Sequence, residues 1–202
     1  MQNVPAIASD AAEATNCLTA AFAADPLISY FFEGGTLGRD RSAESFFSVL
    51  LRVRVALGMP ALIAREESGI LGVVMGYRTD RPEWPAPFTL EWDELQSSAP
   101  GIDDRFAVYE HISDSAMPPE PHYYLGVIGV APEAKGKRVG AALLDAFCRI
   151  SAADPLSCGV YLETGNPENL AFYKRHGFQV RGEGPLGKGS LWCLFHPHSH
   201  KN

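Results

Sequence analysis

This chain predicts an α/β domain, on three observations. The aromatic and β-branched run from Tyr123 to Val130 stops at Pro132, and Val139, Ala142, Leu143, Ala146, Phe147 and Ile150 then recur at helical spacing. Between Cys158 and Phe178 a short strand meets an Asn166-Pro167 break and one or two helical turns, and Gly177 ends the helix before a new strand at Phe178. With 202 residues and 46% hydrophobic content, the chain has enough material for one domain, residues 1–202, around a sizeable core.

The other elements follow in order. A short strand is expected near Val4 to Ala8. The next helix opens at Asp10 with Glu13 three residues on, a variant of the capping box, and carries Ala14, Cys17, Leu18, Ala21 and Phe22 as one apolar stripe. Asp25-Pro26 ends it, and Pro26 to Phe32 starts another helical turn. Ser42 to Leu57 reads as a helix with Phe46, Phe47, Leu50, Leu51 and Val53 at mainly helical spacing, stopped by Gly58-Met59-Pro60. Ala61 to Arg65 and Ile70 to Tyr77 form a hairpin around the turn-rich Glu66-Glu67-Ser68-Gly69. Residues 80–87 are a proline-broken loop, 88–116 contain helical pieces, and 196–202, with His196, His198 and His200, read as a frayed polar tail rather than a zinc site.

Charge and cysteine usage narrow the function classes. A net charge of −7 argues against a nucleic-acid partner and mildly favours cationic amines. No run of 18 apolar residues occurs and the first basic residue is Arg39, so neither a membrane span nor a secretory signal with a charged start is expected, and the location should be cytoplasmic. Cys17, Cys148, Cys158 and Cys193 are widely spaced without a Cys-x-x-Cys, which suits buried free thiols better than disulfides or a metal site.

Chemistry concentrates in the loop after Val130. Lys135, Lys137 and Arg138 place three cations within four residues at a helix entrance, where unpaired backbone NH groups and the helix dipole favour negative charge. The pairing suits a phosphate or pyrophosphate. The chain has no Gly-x-x-x-x-Gly-Lys-Ser/Thr, and the loop lacks Gly-x-Gly-x-x-Gly, so nucleotide hydrolysis and hydride transfer lose support. Val130-Ala131-Pro132 with Lys135 and Gly140 resembles instead the pyrophosphate loop of the GNAT superfamily of N-acetyltransferases, Gln/Arg-x-x-Gly-x-Gly/Ala after a strand ending in Val-x-Pro. Arg138 stands where that family most often has Gly, whose missing Cβ allows close backbone approach. Asn166, Asn169, Tyr173, Gly177 and Phe178 fall on a second GNAT hallmark, Asn-x-x-(Asn/Ala)-x-x-x-Tyr followed by Gly-Phe. Residues 20–26, 162–164, 169–178 and 191–193 further resemble the puromycin N-acetyltransferase subgroup, whereas 80–120 match it poorly, so no substrate carries over.

The resemblance implies a GNAT fold: a central mixed, mostly antiparallel sheet of about seven strands, splayed between the fourth and fifth, here about 122–130 and 158–164, and flanked by helices. It implies acetyl-CoA as acetyl donor and no metal. Backbone around Ile128, Gly129 and Val130 would polarise the thioester carbonyl. Lys135, Gly136, Lys137, Arg138, Val139, Gly140 and Ala141 would hold the pyrophosphate, with Asn166, Asn169 and Tyr173 across the gap. Tyr173 stands where the family's tyrosine protonates the departing thiolate. The base is open among Glu110, His111 and Glu163. On the acceptor side, Trp84, Phe88, Trp92, Tyr109, Glu91, Glu94, Glu110 and His111 offer aromatic and acidic groups to an amine. The implied activity is acetyl transfer to a small-molecule primary amine in a ternary complex, with no nucleic-acid or membrane partner and with a homodimer compatible. The alternatives are an acyltransferase for a peptide or protein amine and a non-catalytic acetyl-CoA sensor.

Overall fold

In the computed structural model, which describes residues 1–198, the helices cover a seven-stranded sheet of order β1-β2-β3-β4-β5-β7-β6. The strands are β1 Gln2–Pro5, β2 Ala61–Glu66, β3 Gly69–Tyr77, β4 Tyr123–Val130, β5 Gly159–Thr164, β6 Gln179–Leu186 and β7 Gly189–Pro197. The helices are α1 Ala11–Ala21, α2 Pro26–Phe31, α3 Arg39–Ala56, α4 Ala86–Ser97, α5 Ile102–Ala116, α6 Val139–Ala153 and α7 Pro167–Arg175. Every neighbouring pair is antiparallel except β4 and β5, which are parallel. Among the described residues no helix is long and apolar enough to cross a membrane.

Burial explains the patterns. β3 is buried along nearly all of its length and is accordingly almost continuously apolar, whereas β4 alternates buried and half-buried positions. Sheet glycines admit a helix on each face. A Cβ on Gly129 would meet Leu18 and Phe22 of the α1 region, and one on Gly72 would meet Val139 and Leu143 of α6.

Two local expectations are corrected. Asp10 and Glu13 do not form a capping box. Asp10 closes a short 3₁₀ turn by accepting the Ile7 amide at 2.9 Å, and Glu13 accepts the Ile70 amide at 2.8 Å, tying α1 to β3. The polar chain end is not a tail from residue 196. His196 pairs with Val160 in the sheet, and His198 bonds Ser151 at 2.8 Å through its ring. His200 lies outside the described residues.

The feature that positions the site is the join between β4 and β5. They pair only at Tyr123↔Val160 and Tyr124↔Tyr161, and past these residues each strand is bonded on its other side alone. Beside the join, the register of β3 against β4 shifts between Met75 and Gly76, leaving Gly126 without an opposite residue. Gly76 must lack a side chain here, because a Cβ would run into the Tyr124 carbonyl and the Phe147 ring.

Candidate active site

The loop after β4 has the geometry of an anion cradle. Arg138 is the sole non-glycine residue among those described with a left-handed backbone, φ 61° and ψ 17°, and Gly136 precedes it at φ 83°. Arg138 therefore holds the conformation that glycine takes at low cost. The carbonyl of Arg138 accepts the Ala142 amide at 3.0 Å, while the amides of Gly136, Arg138, Val139, Gly140 and Ala141 have no acceptor among the described residues. Such consecutive free amides form a concavity for an anion, and Lys135, Lys137 and Arg138 surround it with exposed cations. This donor set fits the pyrophosphate of acetyl-CoA.

Helix α7 faces that cradle across the gap. Asn166 caps it by accepting the Glu168 amide at 3.0 Å, and Asn169 donates to Thr164 at 3.4 Å, so both asparagine side chains help build this turn. A Cβ on Gly140 would stand 3.8 Å from the Phe172 ring, so α7 sits beside the first turn of α6. Tyr173 is buried against Phe172 and Phe178. Burial, with the Asp25 carboxylate as a smaller cause, raises its phenol above the ordinary tyrosine range, and no hydrogen bond contributes.

On the other side of β4 lies a cavity of about 510 Å³. Phe22, Phe31, Phe46, Trp84, Trp92 and Phe106 wall it, and Tyr124, Gly126 and Val127 bring it to the splayed strand. Trp84 is fixed by donating to the Tyr77 hydroxyl at 2.7 Å, and Trp92 packs on Trp84, Phe46 and Phe106 at 5.6 to 5.7 Å between ring centres. Of the acceptor-side residues read from the sequence, Trp84, Trp92, Tyr109 and Glu110 line it. The other four do not. Glu91 forms an ion pair with Arg52, Glu91 and Glu94 line a separate surface hollow with Leu37 and Val49, Phe88 lies under Arg52, and His111 is exposed.

Sequence reading missed two charged lining residues. Asp25 accepts the Leu27 and Ile28 amides at 2.9 and 3.2 Å as the cap of α2, and burial raises its carboxyl above the usual range. In sequence the Asp25-Pro26 dipeptide marked the break between two helices and gave no sign of the cavity. Arg54, on α3, is 3% exposed. It falls among apolar positions of a helix, a pattern that marks an unusual cation without saying what it faces.

Behind Tyr109 and Tyr124 lies Glu163. It accepts hydrogen bonds from Tyr109, at 3.0 Å, and from Ser113, and Tyr109 and Tyr124 share a 3.2 Å contact between hydroxyls. Burial raises its carboxyl above the ordinary 4.5, outweighing the donors that favour the anion. The folded state thus holds this proton more tightly than the unfolded chain, so Glu163 costs stability as pH rises from near 4.5 through the raised value. Glu163→Gln is expected to remove that downward slope from urea midpoints measured between about pH 4 and about pH 8. An unchanged slope would assign it to another group.

The cysteines stand apart from this chemistry. All four are free, and burial pushes the thiols of Cys17 and Cys148 up to about 11 and about 12, so little nucleophilic thiolate is present at neutral pH. None lines the cavity. No cluster of three or more potential metal ligands occurs among the described residues.

Residues 103–180 match the family described as acetyltransferase (GNAT) domain. The whole chain superimposes on a Corynebacterium glutamicum protein titled histone acetyltransferase HPA2 and related acetyltransferase, with TM-score 0.72, 22% identity and coverage of 100% of this chain and 98% of that one. It also resembles a Drosophila melanogaster polyamine N-acetyltransferase, with TM-score 0.69, 14% identity and coverage of 98% and 99%. For Chaetomium thermophilum Naa20 in complex with a bisubstrate analogue the values are 0.53, 19%, 98% and 86%. These likenesses establish the fold.

Proposed function

We propose that this chain, whose residues 103–180 match a GNAT acetyltransferase domain, is an N-acetyltransferase, that its acceptor is a small-molecule primary amine and that the acetyl group passes to it directly from acetyl-CoA. One observation carries this reading: the 510 Å³ aromatic cavity is lined by Gly126 and Val127 of β4, just past its last pair with β5, so an amine held there would lie close to a thioester placed in the gap. That volume suits one small molecule.

The chain's own groups supply the rest. The free amides of the 136–141 loop anchor the donor, and the unpaired edge of β4 orients it. Bound acetyl-CoA contributes an activated thioester. Tyr173 supplies the proton for the departing sulfur. The proton lost by the amine passes through Tyr109 to Glu163, whose raised carboxyl lies closer to neutrality than an ordinary glutamate.

Thiol release from acetyl-CoA, measured across a panel of primary amines and short peptides, tests the acceptor class. Saturable turnover with small amines is expected, with kcat/KM exceeding that for peptides by about tenfold or more. Preferred turnover of peptides would make the cavity a side-chain pocket and overturn the small-molecule assignment.

A further inference from the structure

We propose that Arg54 is the anchor for a carboxylate on the acceptor, so that the substrate is an amine that also carries an acid. The inference rests on the small-molecule reading above. Arg54 reaches from α3 into the wall of the acceptor cavity, where its guanidinium lies 4.5 Å over the Tyr77 ring and Nη1 donates to the Leu50 carbonyl at 2.9 Å. The remaining edge of the guanidinium is unpartnered. Nε is buried without an acceptor, and Nη2, with no hydrogen bond among the described residues, stands 3.4 Å from where a Cβ on Gly126 would be. Nε and Nη2 form the edge that matches a carboxylate through two parallel hydrogen bonds.

No anion among the described residues supplies the missing charge. Arg54 takes part in no ion pair among the described residues, and the groups acting on its charge are the Tyr77 and Tyr124 hydroxyls and a second cation, Arg81. The cavity's own acids, Asp25 and Glu110, do not appear among those groups. Arg52, two residues earlier on the same helix, has Glu91, and Arg65 has Asp10 and Glu13. A buried guanidinium without a counter-ion is a standing cost in a wall where Leu or Met would pack. A ligand carboxylate removes that cost when it binds. A single fork, with no neighbouring anion-binding side chain but Arg81, suits a carboxylate better than a more highly charged phosphate.

The test uses a matched pair differing in the carboxylate alone, free L-phenylalanine and 2-phenylethylamine, with acetyl-CoA saturating. Wild-type kcat/KM is expected to favour the amino acid by about tenfold or more, and Arg54→Met to reduce that preference below about threefold by raising the amino acid's KM. Arg54→Lys, which keeps the charge but loses the fork, should retain part of the preference and serves if the Met variant does not fold. A wild-type preference for the amine without the acid, or a preference unchanged in both variants, would overturn the proposal. A second arm measures 3-phenylpropionate binding to CoA-loaded protein by calorimetry. Binding that is lost in Arg54→Met, together with no turnover of any small amine, would uphold the carboxylate site and overturn the small-molecule reading instead. Absence of both binding and preference would sink the carboxylate site.

Discussion

Tyr173→Phe is expected to slow single-turnover acetyl transfer by roughly ten- to a thousand-fold while leaving acetyl-CoA affinity and melting temperature near wild type. The substitution separates chemistry from packing unusually well, because the ring is gripped by Phe172 and Phe178 while the hydroxyl has no hydrogen-bond partner among the described residues to lose. Burial and the nearby Asp25 carboxylate keep the phenol protonated at neutral pH, the state a proton donor to sulfur needs. Steady-state turnover alone would understate the effect if product release were slow, so the chemical step must be measured directly. Wild-type single-turnover rates in the Phe variant would leave Tyr173 as a packing residue.

The second large effect is expected at the cradle. Lys135→Ala combined with Arg138→Ala should weaken CoA binding by roughly ten- to a hundred-fold, from the loss of two exposed cations able to reach phosphate oxygens. Arg138→Gly divides that loss. It keeps the free amides and removes the guanidinium, and it relieves a left-handed backbone that costs a non-glycine residue about 1 kcal/mol. The Gly variant should therefore melt higher than wild type while binding CoA less tightly, by calorimetry and thermal unfolding. An unchanged dissociation constant in the double Ala variant would move the donor site elsewhere.

The proposed donor half of the site could be placed from sequence because its signals are local. A strand end, a cationic loop and a helix start fall within residues 123–150, and the Asn-to-Tyr spacing within 166–173, all inside the stretch that matches the GNAT domain. The acceptor half draws on α2, α3, α4 and α5 together, so its composition depends on which face each helix turns inward. On α4 the inward positions are Thr89, Trp92 and Gln96, while Glu91, Glu94 and Leu95 share the other face with Ser98, the residue that caps the helix. Glu91 is one position from Trp92 and points away for that reason alone. On α5, Phe106, Tyr109 and Glu110 turn inward, Ser113 continues that line to Glu163, and His111 falls off it. Arg54 could not be read as a site residue, because its surroundings come from segments far apart in sequence, and for the same reason Glu163 stood only as one of three candidate bases.

The join at Tyr123 and Tyr124 also bears on how the protein holds together. Two residue pairs are all that couple β1–β4 to β5–β7 within the sheet, so much of β4 and β5 faces a slot rather than a neighbouring strand. An open strand edge invites another chain. A donor lodged in the slot would occupy those peptide groups and bridge the two halves, contributing RT ln(1 + [L]/Kd) to stability by mass action. Acetyl-CoA would then be a structural clasp as well as a reagent, and each catalytic cycle would loosen the sheet when the spent thiol leaves.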